Sequence, residues 1–405
     1  MLTHSAELGN GGQLMSRRTM LIRSSAGLLT VIGAGALVAC GGDDGAGSPG
    51  ATASGDTGGS GASSEPSEIT QLLSTPGPSF ANALTAIAHE MGFYEEANVV
   101  SSEEFPGNSI RALQTMVGGT GTVASSDSFA VLVAAGEGLE LRSIYGIARG
   151  YIFGIAVSAD SPIQEWGLEV VRGSRIGITD FAGGEVPVLR GALARLGISE
   201  GGDDGVDLVP IGGGGAETAD AIESGSVDLV AASILDFEIF KAAGVDLRVI
   251  TPDFIRAFPG PGFTTTPELL DANLGGIEGL LRSTAMATVF LRANPMAAAE
   301  IAIAAAPASA EGLEIEFVAT FLENLFSVGN EFAFDESDPD YRRLGAQSPA
   351  NFDDYQQFLL ETGIEDDDGT TLSNEVDVEP IVDNSMIDAA NDFDYAEIQA
   401  LAEGS

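Results

Sequence analysis

Residues 175–199 read RIGITDFAGGEVPVLRGALARLGIS. The run 175–179 is short and apolar, as a buried strand is. Asp180-Phe181-Ala182-Gly183-Gly184-Glu185 is turn chemistry. Residues 186–196 then recur at helical spacing, and Gly197 follows as a helix stop. One strand, one tight turn and one helix in 25 residues is half of a βαβ unit.

The same unit repeats downstream. Residues 206–211 form a strand, Gly212 to Gly215 a turn, and 217–224 a helix. Strand 227–231, helix 235–243 and strand 247–251 follow. Upstream the series starts at strand 69–74, which runs through Thr75-Pro76-Gly77-Pro78 into helix 80–91. Strand 99–105, a helix opened by Gly107-Asn108-Ser109, strand 121–124 and a further helix come next. Residues 139–148 and 151–158 read as two longer strands. Beyond Pro267 the pattern is mostly helical, over 274–293, 295–306, 311–328 and 355–360. This alternation predicts an α/β fold of two lobes, each a mostly parallel sheet flanked by helices, with a helical C-terminal part.

Composition narrows the chemistry. The chain has 405 residues, 44% of them apolar, so a large core can form. Seventeen Lys and Arg face 60 Asp and Glu, a net charge of −43. A field of that sign repels phosphate backbones, which excludes a nucleic-acid partner. One Cys and two His, His4 and His89, leave no disulfide framework, no Cys/His zinc site and no Cys–His nucleophile. A Ser-His-Asp triad would have to use His89. The composition suits binding better than covalent chemistry.

The first forty residues read as an address. Arg17-Arg18 precedes the uncharged run 26–39, which at 14 residues is too short to span a bilayer. It reads as the apolar region of a signal peptide over 1–39, and the paired arginines resemble a twin-arginine export signal. The run closes on Leu37-Val38-Ala39-Cys40. This resembles a lipobox, so Cys40 is expected to carry a diacylglyceryl group and anchor the protein to the outer face of the membrane. Residues 40–67, rich in Gly and Ser, are a flexible tether.

Ligands of open α/β sheets sit at the carboxyl ends of the strands, where helix N-termini point. The candidates there are Ser79, Phe80, Asn108, Ser125, Ser126 and Asp127, then Gly183, Gly184 and Glu185, with Tyr151 beside a crossing segment. Helix capping alone accounts for Ser and Asp at such places, and both roles hold together if one cavity faces them. Asp127 disfavours an anion directly beside it. Arg149 and Arg190 are the cations best placed to meet an anion, although surface pairing with nearby acids is the commoner role for each. Gly212 to Gly215 lacks the Lys-Ser/Thr of a phosphate loop. The acidic runs 335–340 and 365–369 lack EF-hand spacing and read as solvated loops.

Five stretches carry a family resemblance. They are ALTAIAHEMGFYEEANV (83–99), GNSIRALQTMVGGTGTVASSD (107–127), residues 175–199, AIESGSVDLVAAS (221–233) and FLRANPMAAAEIA (290–302). In order and spacing the chain resembles substrate-binding proteins of ABC importers, in the taurine/nitrate/thiamine-pyrimidine-precursor group with the type II periplasmic-binding fold. It departs from the group at Gly121-Thr122-Val123, where members often carry Asp, and in having a single Lys, Lys241.

The resemblance implies one lobe at 68–158 plus 259–405, a second at 159–258, and crossings near 158–161 and 254–259. It implies a monomer that closes on a small polar organic molecule or anion, delivers it to an ABC permease, and has neither cofactor nor catalytic activity. The candidate ligands are a pyrimidine precursor, an alkanesulfonate, a nitrate-like anion or another small heterocycle. An alternative on the same fold is a pyrimidine-forming enzyme that uses pyridoxal phosphate and its own cleft His; a solute sensor for a signalling partner is another.

Overall fold

The computed structural model describes residues 65–181, 185–202, 204–212, 216–327, 343–363 and 371–405. The signal region, Cys40, Gly183, Gly184 and both acidic runs lie outside the described residues.

Ten strands are described. In chain order they are β1 (Ser67–Leu72), β2 (Val99–Glu104), β3 (Val123–Ser126), β4 (Arg142–Gly146) and β5 (Phe153–Ser158). Then come β6 (Arg175–Ile178), β7 (Asp207–Pro210), β8 (Leu229–Ser233), β9 (Leu247–Val249) and β10 (Gly262–Thr265). They form two five-stranded sheets, ordered β2-β1-β3-β10-β4 and β7-β6-β8-β5-β9. In the first, β1 pairs parallel with β2 and β3, while β10 runs antiparallel between β3 and β4. In the second, β6 pairs parallel with β7 and β8, and β5 runs antiparallel to β8 and β9. Each sheet is thus mostly parallel with one reversed strand.

The reversed strands mark where the chain changes sheet. It leaves the first sheet after β4 and returns at β10. Strand β5 belongs to the second sheet, so the outward crossing falls within 147–152 and not after residue 158, where the sequence reading put it. Periodicity identifies 151–158 as a strand but cannot say which neighbour its backbone pairs with. The two crossing segments touch: Ile147 and Ala148 donate backbone N–H groups to Pro261 O at 3.0 and 3.1 Å. The Ser128 hydroxyl donates to Pro259 O and Gly260 O at 3.1 Å each.

Each sheet is buried by apolar helix faces. The 27-residue helix Pro267–Ala293 lays Ile277, Leu280 and Leu281 on the first sheet, where they join Ile69 and Val99. Pro at its first turn and the Thr266 side chain, which accepts from Leu269 N, start it. Among the described residues no helix is long and apolar enough to cross a membrane.

Helix Pro349–Thr362 is far along the sequence, yet it packs Phe352, Phe358 and Leu359 into the core of the second sheet with Ile176 and Leu189. Arg195 binds it from helix Glu185–Arg195, with the guanidinium 4.6 Å from the Phe358 ring and 2.9 Å from the Glu361 carboxylate. The C-terminal part therefore does not all belong with the first sheet.

Candidate ligand-binding cavity

A cavity of about 610 Å³ lies where the two sheets meet end to end. That volume is in the range of small-molecule sites. From the first sheet it is lined by the chain leaving β1 (Leu73, Ser74, Thr75), β3 (Asp127, Ser128) and β4 (Ile147, Ala148). From the second sheet come Tyr151, Ile152 and Phe153 at the start of β5, and Ser233 and Ile234 at the end of β8. The returning crossing adds Pro259, Gly260 and Pro261. Strand ends therefore supply the wall, as the alternation predicts.

Local sequence sets the polar rim. The Asn108 side chain accepts from Arg111 N at 2.8 Å and caps helix Ser109–Val117. The Asp127 carboxylate accepts from Ala130 N at 2.9 Å and caps helix Ser128–Gly136. The Asp127 N–H in turn donates to Ser109 Oγ at 3.1 Å. One loop pair thus carries two caps and turns both toward the cavity, so capping and lining are the same arrangement. Ser233 does the same on the other side, in a capping box with Asp236.

Aromatic rings form much of the remaining wall. Tyr151 lies 5.4 Å from Phe153, 6.1 Å from Phe258 and 6.0 Å from Tyr355, ring centre to ring centre. Phe258 and Tyr355 stand 4.6 Å apart. The two phenols are hydrogen-bonded to each other. Burial pushes both well above the usual phenol range, with Tyr355 and Asp127 adding to the rise at Tyr151. Both therefore stay protonated at neutral pH.

Of the residues singled out from sequence, Asn108, Ser125, Asp127 and Tyr151 line the cavity. The others stand elsewhere. Ser79 caps the short turn Phe80–Asn82, and Phe80 packs edge-on against Phe321, a wall residue, at 5.6 Å. Ser126 is behind the wall, its hydroxyl 2.8 Å from that of Thr264. Glu185 is buried and accepts from the Thr179 N–H at 2.8 Å and hydroxyl at 2.6 Å.

The cations lie outside as well. Arg190 pairs with Glu200 on the outer face of its helix. Arg149 is buried in a small recess beside Gln347 and Asn351. Lys241 pairs with Glu238 at 2.6 Å, and His89 with Glu103 at 2.8 Å, both with exposed side chains. Neither Lys241 nor His89 is among the described residues that line the cavity. Among the described residues no cluster of three His, Cys, Asp or Glu could hold a metal.

Sequence reading missed the far wall: Phe129, Phe321, Leu325, Phe326 and Tyr355. A signal existed in FLENLF (321–326), where Phe321 and Leu325 fall one turn apart on helix Ile315–Leu325. That spacing also describes an ordinary core helix, and only the tertiary arrangement separates the two.

Comparison with known proteins places this geometry. The sequence profile of the family described as NMT1/THI5 like matches residues 79–298, just over half of the chain. No curated protein matches. Among solved structures, a Bordetella bronchiseptica RB50 protein is 19% identical, with a TM-score of 0.52, covering 80% of this chain and 97% of its own. The periplasmic sulfonate-binding protein SsuA of a Methylobacillus flagellatus KT sulfonate ABC transporter is 10% identical, with a TM-score of 0.52, covering 80% and 94%. A zinc-bound ligand-binding component of an ABC-type import system from Staphylococcus aureus is 12% identical, with a TM-score of 0.51, covering 80% and 99%. The fold is that of the type II periplasmic-binding proteins, as the strand order and crossings require.

Proposed function

This chain belongs to the NMT1/THI5-like family, and we propose that it is an extracytoplasmic solute-binding protein that captures a small organic molecule and delivers it to an ABC importer. The observation that carries the proposal is the cavity itself, walled by strand ends of two sheets that two adjacent crossing segments join, with helix Pro349–Thr362 a further tie to the second sheet. Such a cleft closes by rotation about its crossings, and a solute that contacts both sides favours the closed form. The closed form is the surface a permease reads. The lobes of this motion are the first sheet with its helices and the second sheet, β5 to β9.

The relatives by fold support the reading, since one is a component of an ABC-type import system and another binds sulfonate for one. Catalysis is not part of the proposal. Among the described wall residues there is no Lys, His or Cys, the groups that most often serve as base or nucleophile. Cys40, placed after a short apolar run, supplies the anchor, and two acyl chains on it suffice for stable attachment. The protein acts as a monomer at the membrane surface, after export by the twin-arginine route.

A thermal-shift screen of the purified protein against a chemically broad solute library tests capture. A true ligand at 100 times its dissociation constant stabilises by about 2.7 kcal/mol. Silence across the whole library refutes the proposal. Mass spectrometry of the exported protein tests the anchor: acylated Cys40 is expected at the mature N-terminus, and an unmodified thiol there overturns it.

A further inference from the structure

The wall of the cavity selects a class of solute. Resting on the solute-binding reading above, we propose that the site takes an aromatic molecule whose head group donates a hydrogen bond, and that it rejects oxoanions. Three features of the wall converge on this.

The first is the body of the site. Among the described residues seven aromatic side chains line it, although aromatics make up only 7% of the chain. Phe129, Phe153, Phe263, Phe321 and Phe326 carry no polar atom, and the Tyr151 and Tyr355 hydroxyls are engaged with one another. Leu73, Leu84, Ile110 and Ile234 fill the spaces between rings. A ligand matched to this wall presents flat apolar surface, which edge-to-face and offset ring contacts reward beyond area alone.

The second is charge. Among the described wall residues Asp127 carries the sole carboxyl group, and there is no Arg, Lys or His. An oxoanion is held by Arg forks or by several cationic donors. Here it meets a carboxylate instead, in a partly enclosed apolar space where like charges repel more strongly than in water. The arginines that might have answered, Arg149 and Arg190, stand behind the wall and on the outer surface.

The third is where the polar atoms stand. Asp127, Asn108, Ser109 and Ser125 share one end of the cavity, at the tips of β3 and the two helices beside it. The Asp127 side chain is exposed, and its Oδ1 accepts from Ala130 N. An ionised carboxylate has about four acceptor sites. The remaining capacity faces the space a ligand head would fill, and only a donor, hydroxyl or ammonium, satisfies it.

The test uses three naphthalenes that share a body and differ in the head: 2-naphthalenemethanol, 2-naphthylmethylammonium and 2-naphthalenesulfonate. Taurine and nitrate are added as small oxoanion probes. Calorimetric titration of the full-length protein is expected to show at least one donor-headed naphthalene binding about tenfold or more tighter than the sulfonate, because a like charge is absent. Taurine and nitrate are expected not to bind.

The second arm is Asp127→Asn. Asn serves as an N-cap as well as Asp, so the fold is kept. The variant is expected to shift the ratio of sulfonate to donor-headed affinity by on the order of tenfold toward the sulfonate. Tighter binding of the sulfonate, taurine or nitrate to the unaltered protein, or an unchanged ratio in the variant, overturns the solute class and leaves the solute-binding reading standing. If no naphthalene binds, the compounds that the broad library retrieves decide: an aromatic donor upholds the class, an oxoanion or non-aromatic solute overturns it. Silence in both the naphthalene series and the library refutes the solute-binding reading, and this inference with it.

Discussion

Replacing Gly260 with Ala tests whether the two crossing segments act as one hinge. A Cβ at position 260 would lie 2.4 Å from Ala148 O and 2.4 Å from Gly150 O. Both are backbone atoms of the outgoing crossing, so no side chain can swing aside. Ordinary contact between such atoms is about 3.5 Å, and the segments must therefore part by roughly 1 Å. Forced overpacking of this kind costs about 1–3 kcal/mol. For a protein of this size that lowers the melting midpoint by roughly 1–4 °C.

The same displacement strains the Pro261 carbonyl, which accepts from both Ile147 and Ala148. A hinge altered by about 1 kcal/mol against closure weakens apparent ligand affinity about fivefold. The assay is a melt of the unliganded protein followed by titration with any solute that the library yields. Gly77→Ala is the control, since its Cβ would meet nothing within 4 Å. A Gly260→Ala protein that melts within about 1 °C of the parent and binds equally well would refute the argument, because segments that are truly in contact cannot absorb the change.

Gly275 and Gly276 are neighbours in helix Pro267–Ala293, but a Cβ meets nothing at 275 and lies 2.8 Å from Ile69 and Ser67 atoms at 276. Gly275→Ala should stabilise by about 0.5–1 kcal/mol and Gly276→Ala should destabilise by about 1–3 kcal/mol; denaturant midpoints that move in the same direction would contradict this packing. Tyr94, Tyr145, Tyr151 and Tyr355 are all raised above the usual phenol range by burial. The unfolded chain releases these protons above about pH 10 while the folded chain keeps them, so stability is intact below pH 10 and falls above it. Tyrosinate absorbance should show these four ionising only with unfolding, and reversible ionisation of all four near pH 10 with the fold intact would contradict their burial.

What could be read from the sequence was local. The helix from 185 onward was legible because apolar spacing acts within a few residues. The caps at Asn108 and Asp127 were legible for the same reason: a short polar side chain before an apolar-periodic run has one favourable place to put its oxygen. Because caps stand at strand ends, they also pointed to the cavity. Ser126 and Glu185 show the limit of that logic. Ser126 ends β3 and Glu185 opens the helix after β6, but alternation turns Ser126 inward to Thr264, and Thr179 captures Glu185 with two hydrogen bonds.

Pairings over long separations stayed hidden. Nothing within 151–158 says that β5 reverses to join β8 and β9, a choice made by twist, loop length and the two cores together. Nor does the composition of 349–362 reveal that this helix docks on the second sheet, more than 150 residues from the Arg195 that grips it. The far wall of the cavity, Phe321 to Phe326 and Tyr355, depends on those dockings. This is why its aromatic character escaped a reading based on strand ends alone.

The charge of the whole chain and the charge of the site bear on one another. A net charge of −43 sets a repulsive field for any approaching anion, and the field acts on encounter before any contact is made. Within the cavity the described wall offers the anion a carboxylate and no cation. A binding protein for oxoanions would need a local reversal of sign to overcome the first effect, and the arginines nearest to hand are spent on Glu200 and on a recess behind the wall. The exterior field is screened within about 10 Å at moderate salt, whereas the Asp127 carboxylate meets a solute in the cavity at contact range. The site, more than the surface, therefore decides which solutes are turned away, and an aromatic solute with a donor head is the one that meets neither barrier.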